Sequence, residues 1–380
     1  MKKIKRNVLL NPGPATTTDS VKFAQVVPDI CPREREFGAI LLKINKDLVK
    51  IVKGGRDFTS VLFAGSGTAA MDACINSVVP KNAKIAIISN GLYGDRMIKI
   101  ARSYQIPCVE INFEWDQQPD LKKVEEMLMN DRKITYLVVV HHETTTGILN
   151  PIREIGVLAK KYGCTFIVDA VSSFAGIPIN VKDCHIDFMF STSNKCIQGV
   201  AGLSFIVCRI KSVERLKGRP KRSFYLDLYS QYDFYKRTGQ MQFTPPVQVV
   251  YALKQAIAEY FEEGDQTRYR RYTKSWSTLR KGMNEIGFKF LLKKQEESHI
   301  LTTIVEPKDP NYDFNRMHDL LYEEGFTIYP GKMGKKKTFR IANMGAIDHK
   351  DIEKFLAAVK RTLNRMNIKM NKCTTREGII

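Results

Sequence analysis

The chain has 380 residues and a mass of 43.4 kDa, with 43% hydrophobic and 26% charged residues. That length suits about two domains with a substantial core, and the composition excludes the disordered class. The formal charge of +20 suits anionic partners of some kind. No apolar run approaches the roughly 20 residues that cross a bilayer, and the start MKKIKRNVLLNPGP lacks the apolar segment of a secretory leader.

Taken in order, residues 1–15 read as an N-terminal arm, 16–270 as a large domain, 271–368 as a small C-terminal domain and 369–380 as a disordered tail. In the large domain, LLKINKDLVKIVKG has apolar residues at helical spacing. TSVLFAG is a strand and TAAMDACINSVV a helix. KIAIISN is a continuous apolar run, suited to a strand buried on both faces. GDRMIKIARSYQ (helix), CVEINF (strand), LKKVEEMLMN (helix) and ITYLVVVHH (strand) continue the alternation. IREIGVLAKKYG (helix), TFIVDAV, IDFMFSTSNK and GLSFIVCR (strands) complete it. Alternating strands and helices predict an α/β fold with a mostly parallel seven-stranded sheet flanked by helices. Residues 211–246 are basic, aromatic and read as irregular. Two long helices follow, then strand, strand, helix, strand, strand and helix, the pattern of a smaller α+β domain. The eight cysteines show no CxxC spacing. Reduced, mostly buried thiols in a cytoplasmic protein are expected, without metal or disulfides.

Three segments carry chemistry. Gly65-Ser66-Gly67-Thr68 falls where an apolar strand meets a helix. It reads either as a phosphate cradle at a helix N-terminus or as a plain tight turn. Without a Walker lysine or GxGxxG spacing, it does not suit a nucleoside triphosphate or a dinucleotide. Asp169 ends a strand, so its carboxylate either faces the ligand crevice of an open α/β sheet or caps the next loop. Lys195, after Ser193 and Asn194, also ends an apolar strand. A lysine in such a pocket loses solvation, its pKa falls, and its neutral amine can form a Schiff base. One lysine among 60 basic residues carries no signal alone. The three in this order supply the handles of pyridoxal 5′-phosphate: a cradle for the phosphate, an acid for the pyridine nitrogen and an amine for the aldehyde.

From about residue 7 to residue 366 the chain resembles the class V, fold-type I pyridoxal phosphate aminotransferases. The resemblance runs through LLNPGP, GSGT, SNGLYGDR, HHETTTGILNP, YGCTFIVDAVSSF, STSNKCIQGV, LDLY, FTPP, GFTIYPGK and FRIANMG. HHETTTGILNP and SNKCIQG are distinctive of the branch that moves the amino group of 2-aminoethylphosphonate to pyruvate, giving phosphonoacetaldehyde and L-alanine. Alanine–glyoxylate and serine–pyruvate aminotransferases are the alternative.

By this resemblance Lys195 is the Schiff-base lysine and Asp169 the partner of the pyridine nitrogen. Ser66, Gly67 and Thr68 form the phosphate loop, and Ser193 and Asn194, beside the lysine, are further cofactor contacts at the phosphate. Tyr93 stacks on the cofactor, and Thr144 touches its phenolic oxygen. Thr244 is a phosphate ligand supplied to the partner subunit, which implies a homodimer with shared sites. Arg340 grips the substrate carboxylate, a role its guanidinium fork suits. Arg33 and Arg35, in CPREREF, are candidates for the phosphonate, with a solvated turn as the other reading. His141 and His142 are adjacent on a strand, point to opposite faces, and read as structural. Cys196 reads as packing. Cys373 is the only cysteine in a loose segment, which disfavours a desulfurase. Nucleic-acid binding rests on charge alone, without a zinc-finger, RRM or helix-turn-helix signature.

Overall fold

The computed structural model describes residues 4, 6–331 and 336–370. Most of the basic loop 331–337, nearly all of the expected tail and Cys373 lie outside the described residues.

Seven strands form the main sheet. In spatial order they are Phe58–Ala64, Leu203–Arg209, Phe188–Thr192, Thr165–Asp169, Ile134–Val140, Lys84–Ser89 and Cys108–Asn112. Only Leu203–Arg209 runs antiparallel to its neighbours. Successive side chains leave opposite faces of a strand, and the packing follows that rule. Ile85 and Ile87 enter one core, with the helices Gly67–Val78 and Leu92–Ser103. Ala86 and Ile88 enter the other, with the helices Arg35–Ile51, Ile152–Lys161 and Val247–Glu263. Continuous apolar runs are therefore required, because both faces are covered.

The stretch read as irregular contains a helix, Leu228–Thr238. Its aromatic and basic residues obscure the helical period, but its ends carry clear signals. The Asp227 carboxylate accepts from the Ser230 N–H at 2.8 Å, and Gly239 closes the helix at φ +70°. Leu228 and Tyr232 bury its inner face.

The helix Asp265–Ile286 is continuous across residue 270. Its first half buries Tyr272 against Cys196, and its second half places Leu279, Met283 and Ile286 in the C-terminal core. That core lies under a four-stranded antiparallel sheet, in the order Lys289–Phe290, Leu301–Val305, Thr338–Ala342 and Tyr329–Pro330. The helices Phe314–Glu323 and His349–Arg365 contribute to the same core.

The N-terminal arm is built into the fold. Val8–Leu9 pairs in parallel with Phe326–Thr327. The Leu10 carbonyl accepts from the Ala342 N–H at 2.7 Å, and the Ala15 N–H donates to the Asn194 carbonyl at 3.0 Å. The arm thus runs from the C-terminal sheet to the loop that carries Lys195. Asp227→Ala removes the cap of Leu228–Thr238 and should cost about 0.5–2 kcal/mol, read as a lower urea midpoint at unchanged far-UV circular dichroism.

Candidate active site

The parallel strands end at one edge of the sheet, and the register places Asp169 beside Val140 and Phe190 there. One Asp169 oxygen accepts from the Val171 N–H at 2.8 Å. The other, Oδ2, is buried without a hydrogen-bond partner. Desolvation, aided by the nearby Glu143 charge, lifts this carboxyl from 3.8 to about 7. A buried oxygen without a partner is costly, and a pyridinium N–H is the kind of donor that would satisfy it.

Lys195 reaches the same edge from the loop after Phe188–Thr192. Its amine donates to the Pro12 carbonyl. Desolvation lowers its pKa to about 8, and the positive charges of Arg340 and Arg96 pull in the same direction. Gly13, at φ +132°, makes room for this side chain: a Cβ there would lie 2.7 Å from Lys195 Cδ and Cε. The NPGP segment is therefore part of the site, a role that its turn-like composition does not reveal.

The Gly65–Thr68 turn leads directly into the helix Gly67–Val78. Ser66 caps Gly67–Val78 without a side-chain capping bond, so its hydroxyl and the N–H groups of Gly67 and Thr68 are unspent, among the described residues. Thr68 Oγ1 accepts from Arg96 Nη1 at 3.0 Å. The Arg96 guanidinium also lies over the Tyr93 ring, 4.7 Å from its centroid. Arg96 sits in the GLYGDR segment but was indistinguishable there from the other basic residues.

Glu143 is a second residue that sequence reasoning passed over. It is fully buried and accepts from the N–H groups of Tyr93 and Thr145, both at 3.1 Å. It fills the space that a side chain at Gly91 would need. Tyr93 and Thr145, the neighbour of Thr144, are thereby fixed from one carboxylate. The signal was available as an acid within an otherwise neutral, buried HHETTTG stretch.

Arg340 is 3% exposed. It donates to the Thr144 carbonyl at 2.7 Å and twice to the Pro330 carbonyl, at 2.9 and 3.1 Å. Tyr329 lies 5.0 Å beneath its guanidinium. Among the described residues no carboxylate pairs with it. The strand Thr338–Ala342 and the helix Leu92–Ser103 therefore bring Arg340, Tyr93 and Thr144 together from distant parts of the chain.

Other candidates lie differently. The Ser193 hydroxyl is buried on the Val200 and Leu203 carbonyls, and Asn194 Oδ1 accepts from the Thr192 hydroxyl at 3.0 Å. Both shape the lysine loop. Arg33 donates to the Met241 and Gln242 carbonyls at 2.6 and 2.9 Å, and Arg35 is exposed at a helix start. Within one chain their recorded bonds do not join them to Lys195 or Arg340. Arg33 instead anchors the segment that leads to Thr244, which is itself exposed.

The two histidines are buried and bonded through Nδ1, His141 to Ser173 at 3.0 Å and His142 to Ser172 at 2.9 Å. Desolvation holds both neutral. His142 Nε2 also meets the Ser298 hydroxyl at 2.8 Å. Burial pushes the Cys196 thiol up to about 12, which makes it a packing group rather than a nucleophile.

Asp169 gives a signed prediction. Its folded pKa is raised, so the folded chain keeps a proton that the unfolded chain releases. The stability linked to that proton is present below about pH 4 and is lost as pH rises through about 7. Cofactor-free Asp169→Asn should therefore gain melting temperature relative to the parent as pH increases from 5 to 8. A difference that stays constant across that range would contradict the carboxylate's isolation.

The geometry agrees with what the chain is similar to. The family model for aminotransferase class-V matches residues 25–355. The chain is 42% identical over 357 residues to the 2-aminoethylphosphonate–pyruvate transaminase of Phocaeicola vulgatus, covering 93% of this chain and 98% of that protein. It is 41% identical to the enzyme of the same name from Bacteroides fragilis, covering 94% and 99%. A solved alanine–glyoxylate aminotransferase from Nostoc sp. superposes with a TM-score of 0.89 at 25% identity, covering 95% and 96%. With its sheet, strand-end acid and strand-end lysine in place, the chain belongs to the class-V aminotransferases and has their fold-type I architecture.

Proposed function

We propose that this protein transfers the amino group of 2-aminoethylphosphonate to pyruvate, giving phosphonoacetaldehyde and L-alanine, with pyridoxal 5′-phosphate as cofactor. One observation carries the reading: a buried guanidinium, Arg340, has only carbonyl partners among the described residues, beside a lysine of lowered pKa and an acid with an unpartnered oxygen. Both substrates are anions, and the relatives at 41–42% identity bear this activity in their names. The alanine–glyoxylate alternative rests on a match at 25% identity.

The residues present fit the cofactor. Asp169 Oδ2 would take the pyridine N–H. Ser66, Gly67 and Thr68 would hold the phosphate at the helix N-terminus. Tyr93 would face the ring, and Thr144 would offer its hydroxyl to the phenolic oxygen. When bound, pyridoxal phosphate supplies an aldehyde for an amine and a ring that withdraws electrons.

This chain's residues do the rest. With a pKa near 8, about a tenth of the Lys195 amine is neutral at pH 7. That neutral fraction is the form that can act as a nucleophile. With the cofactor in place, Lys195 Nζ would take the proton from the amine-bearing carbon of the donor. Arg340 grips the anionic end of the substrate and orients that carbon. The histidines are neutral and engaged, which leaves Lys195 as the proton carrier.

The protein acts as a homodimer with shared sites in this reading. Thr244 is exposed beside an aromatic cluster in which Phe224, 80% exposed, and Tyr225 flank Phe243. Such a patch is suited to burial against a second copy. No described helix is long and apolar enough to cross a membrane. The seven described cysteines are all free, which favours the cytoplasm.

A donor panel tests the proposal. Protein loaded with pyridoxal phosphate should form alanine from 2-aminoethylphosphonate and pyruvate, and much faster than it transaminates serine or alanine with glyoxylate. Reaction with serine or alanine but not with the phosphonate would sink it. Lys195→Ala should abolish turnover and the yellow colour of the loaded protein. Arg340→Met should lower kcat/KM by about 100-fold, the loss expected for a buried, charge-assisted contact.

A further inference from the structure

We infer that Arg96 is a positioning residue for the phosphate cradle: it aims the Thr68 hydroxyl and turns its own charge toward the cofactor's phosphate. The inference rests on the cofactor reading above. Thr68 Oγ1 accepts a hydrogen bond from Arg96 Nη1 at 3.0 Å. A hydroxyl has one hydrogen and two lone pairs, so this bond leaves the Thr68 hydrogen free to donate. No acceptor for that hydrogen occurs among the described residues. Thr68 lies in the first turn of Gly67–Val78, where the N–H groups of Gly67 and Thr68 have no recorded backbone partner among the described residues, while the Ala69 N–H donates to the Ser66 carbonyl at 2.8 Å.

Arg96 is in the same condition. It is only partly exposed. Its guanidinium carries five N–H donors, and Thr68 is the one hydrogen-bond acceptor recorded for it among the described residues. No carboxylate there pairs with it. The adjacent Asp95 carboxylate instead accepts from the Ser89 hydroxyl at 2.6 Å. The Tyr93 ring, one helical turn earlier, supports the guanidinium from one side. A partly buried cation with this many idle donors, beside a helix N-terminus with idle N–H groups, is matched by a multiply charged oxyanion. The cofactor's phosphate is that group. The Arg96 charge also reaches Lys195 and Asp169, lowering the pKa of each. Arg96 thus joins the cradle to the two groups that hold the ring.

Pyridoxal and pyridoxal phosphate differ only at the phosphate, which makes the pair a direct probe. Binding of each to the cofactor-free protein can be followed by absorbance and by tryptophan fluorescence. Arg96→Met should weaken pyridoxal phosphate binding about 10- to 100-fold, the size expected for one charge-assisted contact. It should change pyridoxal binding by less than about two-fold, which simple disruption of the site would not do. Arg96→Lys should recover part of the loss, because it restores the charge without the fork. An unchanged melting temperature of the cofactor-free variants shows that they fold. If Arg96→Met binds pyridoxal phosphate as the parent does, or loses both ligands equally, the inference is wrong. A parent protein that takes up no pyridoxal phosphate would overturn the cofactor reading and this inference with it.

Discussion

Desolvation at one edge of the sheet governs this site. Asp169, Glu143, Lys195 and Arg340 are drawn out of water by the same packing that covers both faces of the strands. Burial of an ion is tolerated when partners compensate it. Here the compensation is deliberately incomplete. Asp169 keeps one oxygen unpartnered. Arg340 receives carbonyls but, among the described residues, no carboxylate. Lys195 rests on the Pro12 carbonyl rather than on an acid. Each group is short of the partner that a ligand would bring. Glu143 is the contrast: its carboxylate is saturated by N–H and hydroxyl donors, so it builds the site without being available to a ligand.

Such isolation requires rigid surroundings, since mobile groups would find one another. The loop after Lys195 is held from below by the helix Asp265–Ile286. The Cys196 carbonyl accepts from Arg268 at 3.2 Å, and Gln198 donates to the Tyr272 hydroxyl at 2.7 Å and to the Gly345 carbonyl at 3.0 Å. Gln198 is held at φ +67°, a conformation that a non-glycine residue adopts at a cost of order 1 kcal/mol. Its two side-chain hydrogen bonds offset that cost and fix the loop. Arg268 and Arg271 share Glu263, both at 2.6 Å. From above, the N-terminal arm closes over the same loop through Gly13 and Ala15.

The fold was legible because both-face burial writes itself as apolar runs, and the seven strands fall where those runs lie. The helix Leu228–Thr238 was not, because its tyrosines and lysines break the apolar period and its signal sits in the flanking Asp227 and Gly239. The site divided along the same line. Asp169, Lys195 and the Gly65–Thr68 turn are marked by position, at the junctions of strands with loops. Arg96, Glu143 and Gly13 are marked only by what they touch. Arg96 needs Thr68, 28 residues away, and Gly13 needs Lys195, 182 residues away. Contacts at such separations leave no trace in local composition. Arg33 shows the converse: in sequence it suits either a substrate cation or a solvated turn, and within one chain its fork is taken by the Gln240 side-chain carbonyl and the backbone carbonyls of Met241 and Gln242.

The overall charge of +20 therefore says little about chemistry. Many of the cations form exposed pairs, as in Arg361–Glu324 and Lys336–Asp116, and such pairs contribute little. What matters is the small group of cations without acids at the sheet edge. In the proposed reaction Arg340 would take the anionic end of each substrate, and its charge already reaches Lys195. Donor and acceptor both carry an anion, and a single buried guanidinium can serve them only in turn. Two anions crowded on one desolvated cation would repel each other strongly at that distance. The donor's product must then leave before the keto acid enters. With Arg340 in that role, the alternation of two half-reactions would be imposed by the charge content of the pocket as well as by the chemistry of amino transfer.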